Sequence, residues 1–200
     1  MSLIKSFRLI VPTAVLLLLS PATLFAHPMQ GVGDFYAGML HPLTGIEWVL
    51  PIVALSLHVG QQGRETALYA IVVFPIALAG GAVAGVVSSS TSPAPAEIAN
   101  ICLMAALGLL VAWAGKMPLQ LSVVAAALLG LTVGFANGTE LTPVTSAYRF
   151  ITGLAVVGLL LISYGFGFVR WLKSPWTKIG IRVVGSWIAA VGILFLGLKN

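Results

Sequence analysis

From about residue 43 onward the chain alternates long apolar stretches with short polar connections, and that alternation leaves few folds open. The stretches fall at roughly 43–58, 67–87, 96–115, 119–136, 147–169 and 179–198, broken by GQQGRE, SSSTSPAPAE, GKMP, ANGTELTPVTSAYR and RWLKSPWTK. Each approaches the ~20 residues that an α-helix needs to cross hydrocarbon. Composition agrees: 59% of residues are hydrophobic and 8% charged, where a soluble domain carries about a quarter charged residues. The expected fold is therefore all-α, a polytopic membrane helix bundle of about six transmembrane helices, and residues 27–200 make a single domain.

Residues 1–26 read as an export signal. Lys5 and Arg8 precede the apolar run LIVPTAVLLLL, followed by Ser20-Pro21, ATLFA and His27, with Ala26 at the cleavage point. The alternative is an uncleaved signal anchor. Either way the basic end stays in the cytoplasm and His27 emerges on the far side, which predicts an inner-membrane, multi-pass protein with a periplasmic mature N-terminus. Counting spans from there puts Arg64, Lys116, Arg170, Lys173, Lys178 and Arg182 in the cytoplasm, and only Arg149 and Lys199 outside. The positive-inside rule demands that asymmetry.

Several function classes fall away. The net charge of +5 resides in the connections rather than on an amphipathic surface, so no nucleic-acid partner is expected. Cys102 is the only cysteine, which excludes an intramolecular disulfide and a cysteine-based metal cluster within one chain. No phosphate loop of the GxxxxGK[ST] kind occurs, and no nucleophile–base–orienter set. The chain is not expected to be an enzyme, and any transport would run on a gradient.

Small residues recur at helix-packing spacing: Gly81 and Gly85, then Gly130, Gly134 and Gly138, then Gly185, Ala189 and Gly192. Such stripes let helix backbones approach closely.

Five acids can each be placed. Glu65 and Glu97 lie in or beside connections and are expected to be solvated. Asp34 is positioned to cap a short helix through Tyr36 and Met39. Glu47 lies one turn inside the first span, and Glu140 follows the glycine stripe of the fourth, both toward the non-cytoplasmic face. Ionisable groups in hydrocarbon are expensive and mark functional sites, so the two glutamates with His41 predict a small cation-binding mouth. His41 also fits a polar boundary residue: the residue before a proline is pushed out of helical geometry, and Pro42 suits a first helical turn. His58 is expected at the interface near the cytoplasmic loop. Met39, Met104 and Met117 lack the repeated spacing of a copper path.

AGMLHPLTGIEWVL in the first span, ANGTEL after the fourth and IRVVGSWIAAVGILFLG in the last resemble the HupE/UreJ family of membrane nickel and cobalt permeases, over nearly the whole mature chain. The most specific parts are HPLxG at His41 to Gly45 and the pair Gly138 and Glu140. The resemblance implies a transported Ni²⁺ or Co²⁺ and a metal site at His41, Glu47, Asn137 and Glu140. Members carry aspartate-histidine where this chain has Glu47-Trp48, and a histidine where it has Asn137, with an earlier one near Val133. In the family pattern positions 41 and 48, two helical turns apart, share a helix face. Imidazole suits nickel and cobalt, whereas carboxylate and amide oxygens suit harder ions. The alternative is a non-transporting accessory subunit on the same scaffold, serving hydrogenase or urease metal supply.

Overall fold

Each expected apolar run is helical. The computed structural model describes residues 33–88, 92–142 and 144–199; the expected signal segment 1–26 lies outside the described residues. These form α1 (Asp34–Thr44), α2 (Ile46–Gln62), α3 (Arg64–Val87), α4 (Ala94–Trp113), α5 (Leu119–Thr139), α6 (Ala147–Trp171) and α7 (Pro175–Lys199), with no strand among the described residues. Five helices, α3 to α7, are long and apolar enough to cross a membrane; α1 and α2 form a pair bent by 83° that supplies a sixth span if taken as one. The protein is a multi-pass membrane protein.

Local chemistry sets the boundaries. Gly63 links α2 to α3 at φ 123°, a conformation that only glycine adopts without strain. Prolines stand at the start of α4, α5 and α7, where their missing N–H has no intrahelical partner to lose.

The glycine stripes do what their spacing predicts. A Cβ on Gly81 or Gly85 of α3 would strike the carbonyls of Leu131 and Phe135 on α5. One on Gly130, Gly134 or Gly138 of α5 would strike those of Phe74, Leu78 and Ala82 on α3. The two helices thus mesh backbone to backbone, and they form the most extensive pair in the bundle. Gly185 and Gly192 of α7 seat likewise against Val111, Ala112 and Ala105 of α4, with Gly108 facing back. The sequence alone did not single out a third such seam, where Gly38 of α1 and Gly153 of α6 receive the carbonyls of Phe150 and Phe35.

α2 is the central helix and touches all the others. Ile52, Leu55 and Val59 on it are wholly buried. Outward faces remain apolar, with Val72, Ile76, Leu109, Leu121 and Leu194 exposed, as a lipid-facing surface requires.

Two expectations are corrected here. His41 and Pro42 do not begin a continuous span over 43–58: they sit in the last turns of α1, and the chain breaks at Gly45 in extended conformation (φ −104°, ψ 128°) before α2 starts. Pro42 marks the end of one helix rather than the start of another. His41's carbonyl, freed at that end, accepts from the Thr44 hydroxyl at 2.7 Å. Positions 41 and 48 therefore do not share a helix face. His58 is not interfacial: it is 0% exposed, with Nε2 3.1 Å from the Ser122 hydroxyl, because central α2 is covered on every side.

Antiparallel succession leaves basic side chains predominant at one end, with Glu65 beside Arg64, and acidic ones predominant at the other, with Lys199 among them. Arg64, Lys116, Arg170, Lys173, Lys178 and Arg182 cluster where α2, α4 and α6 finish. Asp34, Glu47, Glu97 and Glu140 cluster where α2 and α4 begin and α5 finishes.

Candidate cation-binding pocket

Two helix starts and two helix ends converge at the acidic end. Glu47 and Glu97 lie in the first turns of α2 and α4, where the positive end of the helix dipole stabilises a carboxylate. Glu140 caps the C-terminus of α5, where the same dipole disfavours negative charge and a cationic neighbour is worth most. The three carboxylates line one cavity of about 190 Å³ with Trp48, Asn100 and Lys199.

His41 stands beside this cavity. Its Nε2 is 2.9 Å from Glu140 Oε2, and its ring meets Phe150 edge-on with centroids 5.6 Å apart. α1 thus delivers an imidazole to the mouth from outside the lining. Asp34, also on α1, does not cap its own helix. Gly33 is the N-cap, and the Asp34 carboxylate accepts from the Ser146 N–H at 3.1 Å, tying α1 to the start of α6.

Glu97 departs from expectation. It is not simply solvated: Lys199 Nζ contacts Glu97 Oε2 at 2.5 Å across 102 residues, because the α4–α7 glycine seam holds the end of the chain over the start of α4. One ammonium is therefore already inside the acidic mouth. Both side chains are partly exposed, at 43% and 29%, so the pair is a modest tether rather than a strong clamp.

Asn100 was not legible as a site residue. It is 1% exposed, its Oδ1 accepts from the Thr132 hydroxyl at 2.5 Å, and its Nδ2 has no partner. Either orientation of the amide leaves one polar atom free in the cavity wall. A buried polar atom without a partner costs about 1–3 kcal/mol, which a ligand or water in the cavity would offset.

Asn137 does not line the cavity and stands about one turn before Glu140 on α5. It is wholly buried, donates from Nδ2 to the Val133 carbonyl at 2.8 Å and leaves Oδ1 unpartnered. Trp48 fills space at position 48: its indole lies over Gly45, where a Cβ would strike both it and the Glu47 carboxylate. Among the described residues, no three His, Cys, Asp or Glu side chains are grouped closely enough to hold a metal ion. The cavity is thus an acidic mouth with one imidazole beside it.

The family comparison spans this whole architecture. Residues 14–195 match the family described as HupE / UreJ protein. Protein HupE of Rhizobium leguminosarum bv. viciae is 26% identical over 186 residues, which cover 93% of this chain and 96% of that protein. No solved structure matches. With nearly every helix inside the matched region, the chain belongs to the HupE / UreJ family.

Proposed function

We propose that the protein is an inner-membrane permease for a small divalent cation, nickel or cobalt, with its mature N-terminus in the periplasm. The observation that carries this reading is the convergence of Glu47, Glu97 and Glu140 on one cavity. Lys199 offsets the Glu97 carboxylate, and Glu47 and Glu140 leave the cavity net negative, which attracts a divalent cation. The gathering of basic residues at the opposite end supports the orientation. His41 supplies the nitrogen donor that nickel prefers, reached through its contact with Glu140. Asn137 offers a neutral oxygen one turn deeper. Both the carboxylates and the imidazole bind metal only when deprotonated, so cation binding and proton release are linked.

A second reading has its own support. With no preassembled three-donor set among the described residues, and an indole where relatives carry a histidine, the same bundle suits a non-transporting accessory subunit for hydrogenase or urease metal supply. Calorimetric titration of nickel, cobalt, manganese and magnesium into purified protein across pH, run beside metal uptake by expressing cells, separates the two. The permease binds a divalent ion more weakly as pH falls, loses binding with Glu47→Gln or Glu140→Gln, and accumulates metal in cells. Binding without uptake supports the accessory subunit; no binding by correctly folded protein removes the permease.

A further inference from the structure

Another cavity lies at the other end of the bundle. It measures about 510 Å³ and is bounded by the ends of α2, α4 and α6 and the start of α7. Four cationic side chains line it: Arg170, Lys173, Lys178 and Arg182. Both ion pairs among the described residues lie at the acidic end of the protein, so none of these four has a carboxylate partner there. Lys178 stands at the end of the first turn of α7, where the helix dipole is already positive and further positive charge is disfavoured. Arg182 is preset for a ligand: its Nε donates to the Ala112 carbonyl at 2.8 Å, which fixes the guanidinium and leaves its outer fork for an oxyanion.

The surroundings identify the level at which this cavity sits. Trp171 lies between the lining residues Arg170 and Leu172 in sequence and Trp176 two residues before Lys178; they are 76% and 80% exposed. Exposed indoles beside basic residues at helix ends mark the headgroup layer of a bilayer. Basic pockets between transmembrane helices bind anionic lipid headgroups.

We propose that Arg170, Lys173, Lys178 and Arg182 form a binding site for a phosphate oxyanion, carried by the headgroup of an anionic phospholipid. The bound phosphate, with its single negative charge, offsets part of the repulsion among the four cations, bridges the end of α6 to the start of α7, and joins this hairpin to α4 through Arg182. The bilayer thereby becomes a structural part of the end opposite the acidic mouth.

The test uses the whole purified protein. Lipid retention is measured by native mass spectrometry as phosphatidylglycerol is titrated against phosphatidylcholine, and inorganic phosphate is titrated separately in lipid-free detergent. The expected result is preferential retention of phosphatidylglycerol, weakened about fivefold per lysine in the double variant Lys173→Gln/Lys178→Gln. Arg170→Gln gives an independent single variant should the double one accumulate poorly. Arg64→Gln removes a charge from the same membrane face but outside the cavity, and should leave retention unchanged. Inorganic phosphate binding without lipid preference supports the oxyanion site and assigns it a soluble source. Equal loss with Arg64→Gln and with the cavity variants overturns the site, as does binding of neither phosphatidylglycerol nor phosphate.

Discussion

Gly80 and Gly81 are neighbours on α3, yet alanine should move stability in opposite directions at the two positions. A Cβ on Gly81 would overlap the Leu131 carbonyl oxygen on α5, and two further main-chain atoms of Leu131 would lie 2.9 Å from it. Backbone cannot swing aside as a flexible side chain can. α3 and α5 would have to part by roughly 1 Å to regain ordinary contact distances of about 3.5 Å. Overpacking of this kind costs about 1–3 kcal/mol. Against it stands the better helix propensity of alanine, about 1 kcal/mol, and the rigid neighbour puts the clash toward the upper end, so the net loss is about 1–2 kcal/mol. At Gly80 nothing lies within 4 Å of the added methyl, and only the propensity gain remains. For a chain of this size each kcal/mol moves Tm by about 2–4 °C. Gly81→Ala should therefore lower the melting temperature in detergent by about 2–8 °C, whereas Gly80→Ala should leave it unchanged or raise it by up to about 4 °C. Membrane accumulation, read by quantitative immunoblot, should follow the same order. Equal behaviour of the two variants in both assays would refute the backbone-to-backbone seam between α3 and α5.

Lys199→Gln removes the ammonium from the acidic mouth; since the pair with Glu97 is partly exposed, divalent-ion affinity by calorimetry should rise by about fivefold at most, and an unchanged Kd would show that the ammonium does not compete. Trp48→His adds an imidazole to the cavity lining and should raise the ratio of nickel to manganese affinity, a ratio that partial loss of folded protein leaves intact; no change in it would place position 48 outside the ion's reach. Ser92→Cys in a Cys102→Ser background should react with a membrane-impermeant maleimide from the periplasmic side, and reaction only from the cytoplasm would reverse the orientation.

The apolar helices and the packing seams were legible because both follow from period and composition. A glycine stripe at four-residue spacing needs only a helix to become a flat face, and the α3–α5 and α4–α7 seams use the residues that the spacing marks. The break at Gly45 was less legible, because His41-Pro42 reads equally well as the start of one helix or the end of another. What decides is α1 docking on α6 through Gly38 and Gly153, a contact between segments more than a hundred residues apart. The same limit hid Glu97, Lys199 and Asn100. Periodicity assigns a residue to a face of its own helix but not to a neighbour. Lys199 reaches Glu97 only because α7 packs along α4, and Asn100 becomes a site residue only when Thr132 of α5 holds its amide. His58 looked peripheral from its distance along the span, and its burial depends on α2 being the helix that all the others surround.

The buried polar groups also show what a cation would have to cross. On the acidic side they end at Asn100, held by half-buried Thr132; toward the basic end they resume at Ser56, whose hydroxyl donates to the Val53 carbonyl, and at His58 and Ser122, whose side chains meet at 3.1 Å. Thr132 and Ser122 stand ten residues apart on α5, about 15 Å along the helix. Between these levels lie Ile52, Leu55, Met104, Leu107, Ala126 and Leu129, all essentially inaccessible. An unpaired ion in such surroundings costs tens of kcal/mol, so no cation passes through this arrangement. Passage requires a second packing in which the apolar layer parts. The glycine seams limit where: α3 on α5 and α4 on α7 are in backbone contact and separate only at the cost of their closest packing. α2 borders both pairs, is held in neither seam, and carries both Glu47 and His58. In the proposed permease, a shift of α2 between the two meshed pairs would open the layer while leaving the tightest contacts intact.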